Sequence, residues 1–422
     1  MHILLKKAKI LNSASPYNRR RLDILIKNGI IKEIGKDLSA DGAKVVTSRN
    51  LHVSSGFVDI GTQICEPGFE FRETLESIRD AAFSGGYTTI ASLPNTQPVI
   101  QNRPEVEYLI NRGKALGIDV RPIGALSHDT QGKDLTQMME MKEAGAVAFS
   151  DGRMSIQNSG LLMRALLYVK SFDGIIMDQP NDASLVHDGQ IHEGKMSTML
   201  GMEGFPSLSE ELMVARNLSL LEYTASRLHL RCISTRESIQ LIKEAQKSGL
   251  PVTTDVSAFH LMFQDKYLDS FDSNYKIFPP FRSRRDIAAM IKGLKEGTIQ
   301  HITALHEPLE VERKKLEFPY ADFGSIGLES AFPMALTALR GKIALTEIIN
   351  KFTSGPRSIL GIDKPEIMKG ASANLAVFDP TKEWTFSEKH IYSQSKNAAA
   401  IGHNFVGQVI GAITKDAYFL KS

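Results

Sequence analysis

Histidine is the commonest metal ligand in proteins, so the spacing of the histidines is the first sign of metal-dependent chemistry to look for in this sequence. The chain has 11 histidines, and two pairs lie close in sequence, His187 with His192 and His301 with His306. Each pair is five residues apart, whereas two ligands on one helical face need a spacing of four. The sequence also lacks a Walker loop, a Gly-x-Ser-x-Gly turn, a Cys-x-x-Cys pair and an HExxH motif. No short motif therefore assigns a chemistry by itself.

The overall composition indicates a globular chain and excludes several function classes. Of 422 residues, 42% are hydrophobic and 23% are charged, which is average usage and argues against disorder. The net charge of +2 lacks the basic excess of a nucleic-acid-binding protein. Two cysteines, Cys65 and Cys232, are too few for a disulfide framework. Without an apolar run of bilayer length or a signal peptide pattern, we expect a cytoplasmic protein with neither nucleic-acid nor membrane partners.

Both ends of the chain have the pattern of β-strands. Near the start, apolar runs at residues 22–26 and 30–34 flank Asn28-Gly29, a strong hairpin signal. Similar runs recur at residues 374–380 and 406–414. We therefore predict that the N- and C-terminal segments, residues 1–52 and 366–422, form one small β-sandwich domain.

The middle of the chain alternates between short apolar runs and helical patterns. Eight strand candidates lie at residues 56–60, 87–92, 118–123, 147–150, 174–177, 228–233, 252–256 and 302–305. A further helical stretch is predicted near residues 333–352. Such alternation is typical of a parallel sheet closed into a barrel. We predict an α/β fold with a (β/α)₈ TIM-like barrel over residues 53–365, whose functional residues would stand at the carboxyl ends of the strands.

Sequence blocks at those strand ends resemble the dihydroorotases of the amidohydrolase superfamily. The blocks follow the order of that family over nearly the whole chain. They are Gly56-Phe57-Val58-Asp59-Ile60, Glu66-Pro67-Gly68, Gly85-Gly86-Tyr87-Thr88-Thr89, Leu93-Pro94-Asn95-Thr96, Phe149-Ser150-Asp151, Ile191-His192-Glu193-Gly194, Ser234-Thr235-Arg236-Glu237-Ser238, Pro279-Pro280-Phe281-Arg282 and Phe323-Gly324-Ser325-Ile326-Gly327-Leu328-Glu329.

The resemblance implies hydrolysis of the cyclic amide of dihydroorotate, or the reverse ring closure, in pyrimidine synthesis. Such chemistry uses a Zn²⁺-type ion to activate water, together with an acid/base aspartate. The family's positions for these groups fall on Gly61, Gln63, Asp151, Asp178 (or Gln179), Cys232 and Leu305. Only Asp151 keeps the family's residue type, and Leu305, at the acid/base position, cannot titrate. The resemblance therefore implies a scaffold without an intact set of catalytic residues or metal ligands.

The substrate side of the family's site is altered as well. Asn95 is kept, whereas the substrate-binding positions at Cys65, Phe278 and Leu309 differ from the family's residue types. His306 is the histidine that stays in the last motif. We regard Asn95 and His306 as remnants of a substrate pocket, with a purely structural hydrogen bond as the competing interpretation for His306.

One alternative cation site remains open. Asp151, Asp178 and Cys232 would end three different strands, and a thiolate with two carboxylates can bind a divalent ion such as zinc. In the competing interpretation, Cys232 is a small buried hydrophobe and Asp151 anchors a loop. His229 and Arg231 would share one face of their strand, opposite Cys232, and are expected to make ordinary packing contacts. We expect no bound cofactor.

Functions of different classes fit this sequence. The first hypothesis is a non-catalytic dihydroorotase homologue that supports assembly with the catalytic chain of aspartate transcarbamoylase, as the resemblance to ligand-poor family members implies. The alternative is an active cyclic-amide hydrolase that converts dihydroorotate and water to N-carbamoyl-aspartate with a remodelled metal site. A small-molecule sensor is a third hypothesis. The resemblance also implies a homodimer.

Overall fold

The computed structural model describes residues 1–421. The strands are β1 (His2–Ile10), β2 (Arg21–Lys27), β3 (Ile30–Gly35), β4 (Lys44–Val46), β5 (His52–Ser55), β6 (Phe57–Thr62), β7 (Tyr87–Ser92), β8 (Asp119–Gly124), β9 (Ala148–Phe149), β10 (Ile176–Asp178), β11 (Ile191–His192), β12 (Gly204–Phe205), β13 (Leu228–Leu230), β14 (Val252–Ser257), β15 (His301–Thr303), β16 (Leu375–Thr385), β17 (Asn404–Ile413) and β18 (Tyr418–Leu420).

The α-helices are α1 (Leu75–Ser84), α2 (Arg103–Leu116), α3 (Met138–Ala144), α4 (Ser159–Lys170), α5 (Ala183–Val186), α6 (Lys195–Leu200), α7 (Leu208–Thr224), α8 (Arg236–Lys247), α9 (Ala258–Met262), α10 (Arg284–Glu296), α11 (Val311–Lys314), α12 (Ala331–Leu339), α13 (Leu345–Phe352) and α14 (Ser354–Leu360). Within residues 1–421, none of the helices has the length and apolar character that crossing a membrane requires.

Strands from both ends of the chain form one continuous sheet, in the order β18-β17-β16-β5-β1-β2-β3, with β4 paired to β1. Asn28 and Gly29 turn the chain between β2 and β3, and their φ angles of 51° and 72° suit a tight hairpin. β5 joins the two halves, because it pairs with β1 and with β16. The sheet has its own hydrophobic core, which includes Ile3, Ile24 and Val377. The predicted joining of the chain ends in one β domain is confirmed.

The middle of the chain forms a sheet of eight parallel strands, in the order β15-β14-β13-β10-β9-β8-β7-β6. Its first and last strands meet through Thr303 Oγ1, which donates to Asp59 Oδ1 and to Ile60 O at 3.0 Å each. The sheet is thereby nearly closed. Connecting helices pack on it, as α2 does on β8 and α8 on β14. The predicted (β/α)₈ barrel is confirmed.

Local sequence signals set several helix boundaries. Thr74 caps α1 and Asn102 caps α2, and in each case the third helical residue bonds back to the cap. The single helical stretch predicted near residues 333–352 is instead two helices, α12 and α13. Gly341, between them, has a φ of 75°. This left-handed conformation interrupts the helix, and glycine adopts it at little cost.

Two barrel strands end earlier than the sequence predicts, and both end beside positions of the expected site. β13 stops at Leu230 and β15 stops at Thr303. Soon after them, Cys232 has a φ of 51° and Leu305 a φ of 46°. Side chains other than glycine rarely adopt this conformation, and it persists only where surrounding contacts hold it. The backbone therefore leaves the sheet at the two positions where the family places a ligand and the acid/base group.

Candidate functional site

Strand β6 carries a buried carboxylate, Asp59, that joins the first and last barrel strands. Its oxygens accept hydrogen bonds from Thr62 Oγ1 at 2.6 Å, from Thr303 Oγ1 at 3.0 Å and from the Ala304 N–H at 2.7 Å. His301 Nε2 lies 3.9 Å from Asp59 Oδ1. Burial lowers the pKa of His301, so its ring is neutral at neutral pH. Asp59 therefore serves as a shared acceptor that links β6 to β15.

A buried histidine and aspartate, His229 on β13 and Asp255 on β14, form a pair inside the barrel. His229 Nε2 contacts Asp255 Oδ2 at 2.9 Å, and His229 Nδ1 contacts Thr253 Oγ1 at 2.9 Å. Asp255 Oδ1 accepts the N–H of Cys232 at 2.7 Å. Burial alone would raise the pKa of Asp255, but the hydrogen bond and charge of His229 hold it below the ordinary value. Contrary to the expectation of ordinary packing, His229 is thus a hydrogen-bonded partner inside the barrel.

The family's paired-imidazole positions at the end of β6 contain no imidazole. Gly61 has a φ of 92°, and the Gln63 N–H donates to His306 O at 3.0 Å. A Cβ built on Gly61 would lie 2.5 Å from Cζ and 2.8 Å from Nε of Arg231, and closer still to Nη2. The Arg231 side chain is 1% exposed. A ligand side chain at position 61 and this guanidinium therefore exclude one another.

The two carboxylates predicted at the strand ends bond to neighbouring loops and, in the case of Asp178, also to helix α7. Asp151 accepts the Ser127 N–H at 2.8 Å through Oδ1 and Ser127 Oγ at 2.6 Å through Oδ2. Asp178 accepts the Ile156 N–H at 3.1 Å and Asn217 Nδ2 at 2.7 Å. Burial raises the pKa of both aspartates, and these hydrogen bonds oppose the rise. The interpretation of Asp151 as a loop anchor agrees with this geometry.

The thiol of Cys232 does not complete a cation site with these aspartates. Its side chain is buried, and burial raises its pKa well above the ordinary value, so the thiolate is disfavoured. Across residues 1–421, no group of three or more His, Cys, Asp or Glu side chains is arranged to hold a metal ion. The alternative zinc set of Asp151, Asp178 and Cys232 is therefore not assembled in the described residues, where both aspartates accept hydrogen bonds from other groups.

The metal ion implied by the dihydroorotase resemblance does not fit the residues present. The ligand positions offer a hydrogen atom at Gly61, an amide at Gln63 and a protonated thiol at Cys232. The two carboxylates that remain, Asp151 and Asp178, accept hydrogen bonds within the protein, and no imidazole stands beside them at these positions. Zinc and related ions bind imidazole, thiolate and carboxylate groups. At the acid/base position, Leu305 is 2% exposed and has no ionisable atom. The space that a side chain at position 61 would need is filled by Arg231.

The two predicted pocket remnants make hydrogen bonds within the protein. Asn95 Nδ2 donates to Asp151 O at 3.2 Å, and Asn95 Oδ1 accepts the Arg153 N–H at 3.2 Å. His306 is fully buried, and its Nδ1 accepts the N–H groups of Gly327 and Leu328 at 3.2 and 3.4 Å. Both residues therefore order loops at the barrel mouth, and the structural interpretation of His306 agrees with these contacts.

Apolar side chains occupy the remaining substrate positions. Phe278 packs with its ring centroid 5.5 Å from that of Phe205 and 6.2 Å from that of Phe323. Leu309 is buried, as is Cys65, and burial raises the pKa of the Cys65 thiol to about 12. None of these groups can form a charged contact with a carboxylate substrate.

Sequence reasoning missed the most unusual residue of the mouth. Arg231 was expected to pack as an ordinary side chain, whereas its buried guanidinium stands against Gly61, a residue 170 positions away in the chain. The available signal was the combination of a glycine at a ligand position with an arginine beside Cys232. Arg153 and Glu307 form a second missed contact, with 3.3 Å between Nε and Oε1.

The eight-stranded parallel barrel with a sheet domain from both chain ends defines an amidohydrolase-type fold, and solved structures agree. L-hydantoinase from Arthrobacter aurescens matches with a TM-score of 0.84 over 100% of this chain and 96% of its own, at 20% identity. D-hydantoinase from Thermus sp. matches with a TM-score of 0.80 over 99% of this chain and 95% of its own, also at 20% identity. At this identity the likeness concerns the fold.

Sequence comparison narrows the class to one family. A family model described as dihydro-orotase-like matches residues 51–238. A dihydroorotase of Ruminiclostridium cellulolyticum is 37% identical over 411 residues, covering 97% of this chain and 96% of the relative. One from Syntrophus aciditrophicus is 37% identical over 414 residues, covering 97% of each. The chain belongs to the dihydroorotase family.

Proposed function

We propose that this chain is a non-catalytic dihydroorotase homologue of pyrimidine biosynthesis, and that it supports assembly with the catalytic chain of aspartate transcarbamoylase. The observation that carries the first part is Leu305. At the position where the family has its acid/base aspartate, this side chain is buried and apolar, so it can neither take nor give a proton.

The contacts of the other site residues support the same conclusion. Hydrolysis of a cyclic amide needs an activated water and a group that polarises the carbonyl. The only ligand position that keeps the family's residue type is Asp151, whose two oxygens already accept hydrogen bonds from Ser127. Asp178, at another ligand position, accepts hydrogen bonds from the Ile156 N–H and Asn217 Nδ2. The remaining ligand positions are Gly61, Gln63 and Cys232. The carboxylates of Asp151 and Asp178 are thus engaged in hydrogen bonds within the protein.

The role in assembly rests on the resemblance to family members that lack ligands, and it predicts a stable complex. The test mixes the purified chain with the transcarbamoylase catalytic chain of the same organism and measures mass by size exclusion with light scattering. We expect a co-eluting species and an altered transcarbamoylase activity. Separate elution with unchanged activity would contradict the assembly role. The mass of the chain alone tests the expected homodimer.

The alternative, an active cyclic-amide hydrolase with a remodelled metal site, is favoured by the full-length identity to proteins named dihydroorotase and by the retained Asn95 and Asp151. Turnover of dihydroorotate and N-carbamoyl-aspartate with added Zn²⁺ or Mn²⁺ separates the two functions. We expect no turnover above buffer. Turnover that disappears in Asp151→Ala but persists in Asp41→Asn, a control substitution at an exposed position, would support the active hydrolase instead.

A further inference from the structure

The space in front of Gly61 is where the family would place a metal ligand, and a cationic side chain fills it. Three guanidinium atoms of Arg231 lie within 2.8 Å of the position that a Cβ on Gly61 would take. Arg231 comes from β13's end and Gly61 from β6, so the two are brought together only by the closed barrel. The absence of a side chain at Gly61 and the buried position of the Arg231 guanidinium therefore depend on each other.

The charge of this guanidinium acts on two buried carboxylates, Glu307 and Asp255. Burial raises the pKa of Glu307, and the positive charges of Arg153 and Arg231 oppose that rise. Arg231 also adds to the influence of His229 in lowering the pKa of Asp255. Both carboxylates are at most 1% exposed. A buried carboxylate is strongly disfavoured without a nearby cation, so the mouth needs positive charge whether or not it holds a metal.

Charge and packing, more than hydrogen bonds, hold Arg231 in place. Its Nη1 donates to Gly152 O at 3.5 Å, and its Nε has no hydrogen-bond partner among residues 1–421. A guanidinium offers five N–H donors in a fixed plane and stays protonated at all ordinary pH values. It supplies one positive charge, but no open coordination position at which water could be activated.

We infer that the guanidinium of Arg231 is an internal substitute for the family's metal ion: it fills the same part of the barrel mouth, balances the buried carboxylates and makes the folded chain independent of a bound metal. This role concerns the remodelled mouth alone, and it does not depend on binding to transcarbamoylase.

The shared space is tested by adding a methyl group at position 61. Gly61→Ala should lower the Tm by about 5 °C or more, because the new Cβ overlaps the guanidinium. The matched control is Gly297→Ala, where φ is 85° and no atom lies within 4 Å of the added Cβ; it should cost only about 1–2 °C from backbone strain. In an Arg231→Ala background, the loss from Gly61→Ala should shrink to that of the control.

The charge is tested by two substitutions at the arginine itself. Arg231→Met keeps much of the volume and removes the charge, whereas Arg231→Lys keeps the charge. We expect Arg231→Met to lower the Tm clearly more than Arg231→Lys. The untreated wild-type chain should contain well under one equivalent of transition metal by elemental analysis, and its Tm should not change after treatment with a chelator.

Any one of four results would overturn the inference. Equal losses from Gly61→Ala and Gly297→Ala, or a Gly61→Ala loss unaffected by Arg231→Ala, would show that the guanidinium does not fill this space. Equal losses from Arg231→Met and Arg231→Lys would remove the role of the charge. A stoichiometric metal whose chelation lowers the Tm would refute metal independence, and this measurement needs no variant to fold.

Discussion

The interior of the barrel and its mouth contain similar buried polar groups, but they satisfy them differently. In the interior, Asp59 accepts three hydrogen bonds, and His229 uses both ring nitrogens. At the mouth, polar atoms of Gln179, Arg231 and Glu307 are buried without a hydrogen-bond partner among residues 1–421. Native proteins rarely bury unpaired polar atoms. Unpaired atoms also occur on β7, at Tyr87 Oη and Ser92 Oγ, but at the mouth they belong to charged and amide groups, whose burial is the more costly.

The interior and the mouth differ in what their polar side chains do for the barrel. The interior bonds hold β6, β13, β14 and β15 in register, so any change there would damage the barrel itself. At the mouth, Gly61 and Leu305 stand at positions where the family resemblance implies a metal ligand and an acid/base group, while the barrel itself is intact. We expect the removal of a shared acceptor in the interior to cost much stability. At the mouth, we expect a clear cost where a substitution disturbs the contact of Gly61 with Arg231 and little cost where it removes an unpaired polar group, as at Gln179.

The largest effect is expected from Asp59→Ala. The substitution leaves Thr62, Thr303 and the Ala304 N–H as buried donors without their acceptor, and we expect a loss of about 3–5 kcal/mol in the free energy of unfolding. Urea denaturation measures it. Asp59→Asn, which keeps one acceptor oxygen, should recover part of the loss. A loss below about 1 kcal/mol in Asp59→Ala would contradict the structural role of the Asp59 carboxylate.

The next effect concerns the His229–Asp255 pair and its dependence on pH. The pKa of Asp255 lies below its ordinary value of 3.8, so its contribution to stability is full above about pH 4 and is lost as the pH falls through the folded-state value. Asp255→Asn should cost about 2–3 kcal/mol at neutral pH and flatten the acid limb of the stability curve. Asp41→Asn, at an exposed position, is the control. An unchanged acid limb would contradict the prediction.

The sequence predicted the barrel well because its signals are local. Apolar runs and helix caps lie within about ten residues of one another, and the eight predicted strand positions agree with the sheet. The contact between Gly61 and Arg231 has no such signal, because only closure of the barrel brings these residues together. The same holds for Asp151 with Ser127 and Asp178 with Asn217. A carboxylate at a strand end is visible in the sequence, but the loop or helix residue that will bind it is not.

A smaller effect is expected from His260, which follows β14 at the mouth. Its Nδ1 contacts Ser257 Oγ at 2.8 Å and its Nε2 contacts Pro279 O at 3.0 Å. Burial, and then the charge of Arg282, lower its pKa to about 4, opposed by the hydrogen bonds to Pro280 O and Pro279 O and, less strongly, by Asp286. The unfolded chain therefore binds one more proton between about pH 6.5 and 4, and stability falls as the pH drops through that window.

His260→Gln should remove that pH dependence, which amounts to a slope of about 1.4 kcal/mol per pH unit within the window. Thermal unfolding at pH 7, 6 and 5 measures the slope, and His128→Gln, at an exposed position, is the control. Equal slopes in wild type and His260→Gln would show that this histidine is not held neutral in the folded chain.

The smallest effect, and the one of opposite sign, is expected from Gln179→Met. Gln179 is 2% exposed, and neither atom of its amide has a hydrogen-bond partner among residues 1–421. Removing an unpaired buried amide while keeping its volume should leave stability unchanged or raise it by about 1 kcal/mol. Gln179→Ala, which also removes volume, should lower stability by leaving a cavity. A loss of more than about 1 kcal/mol in Gln179→Met would mean that the amide makes stabilising bonds, and that mouth and interior do not differ as proposed.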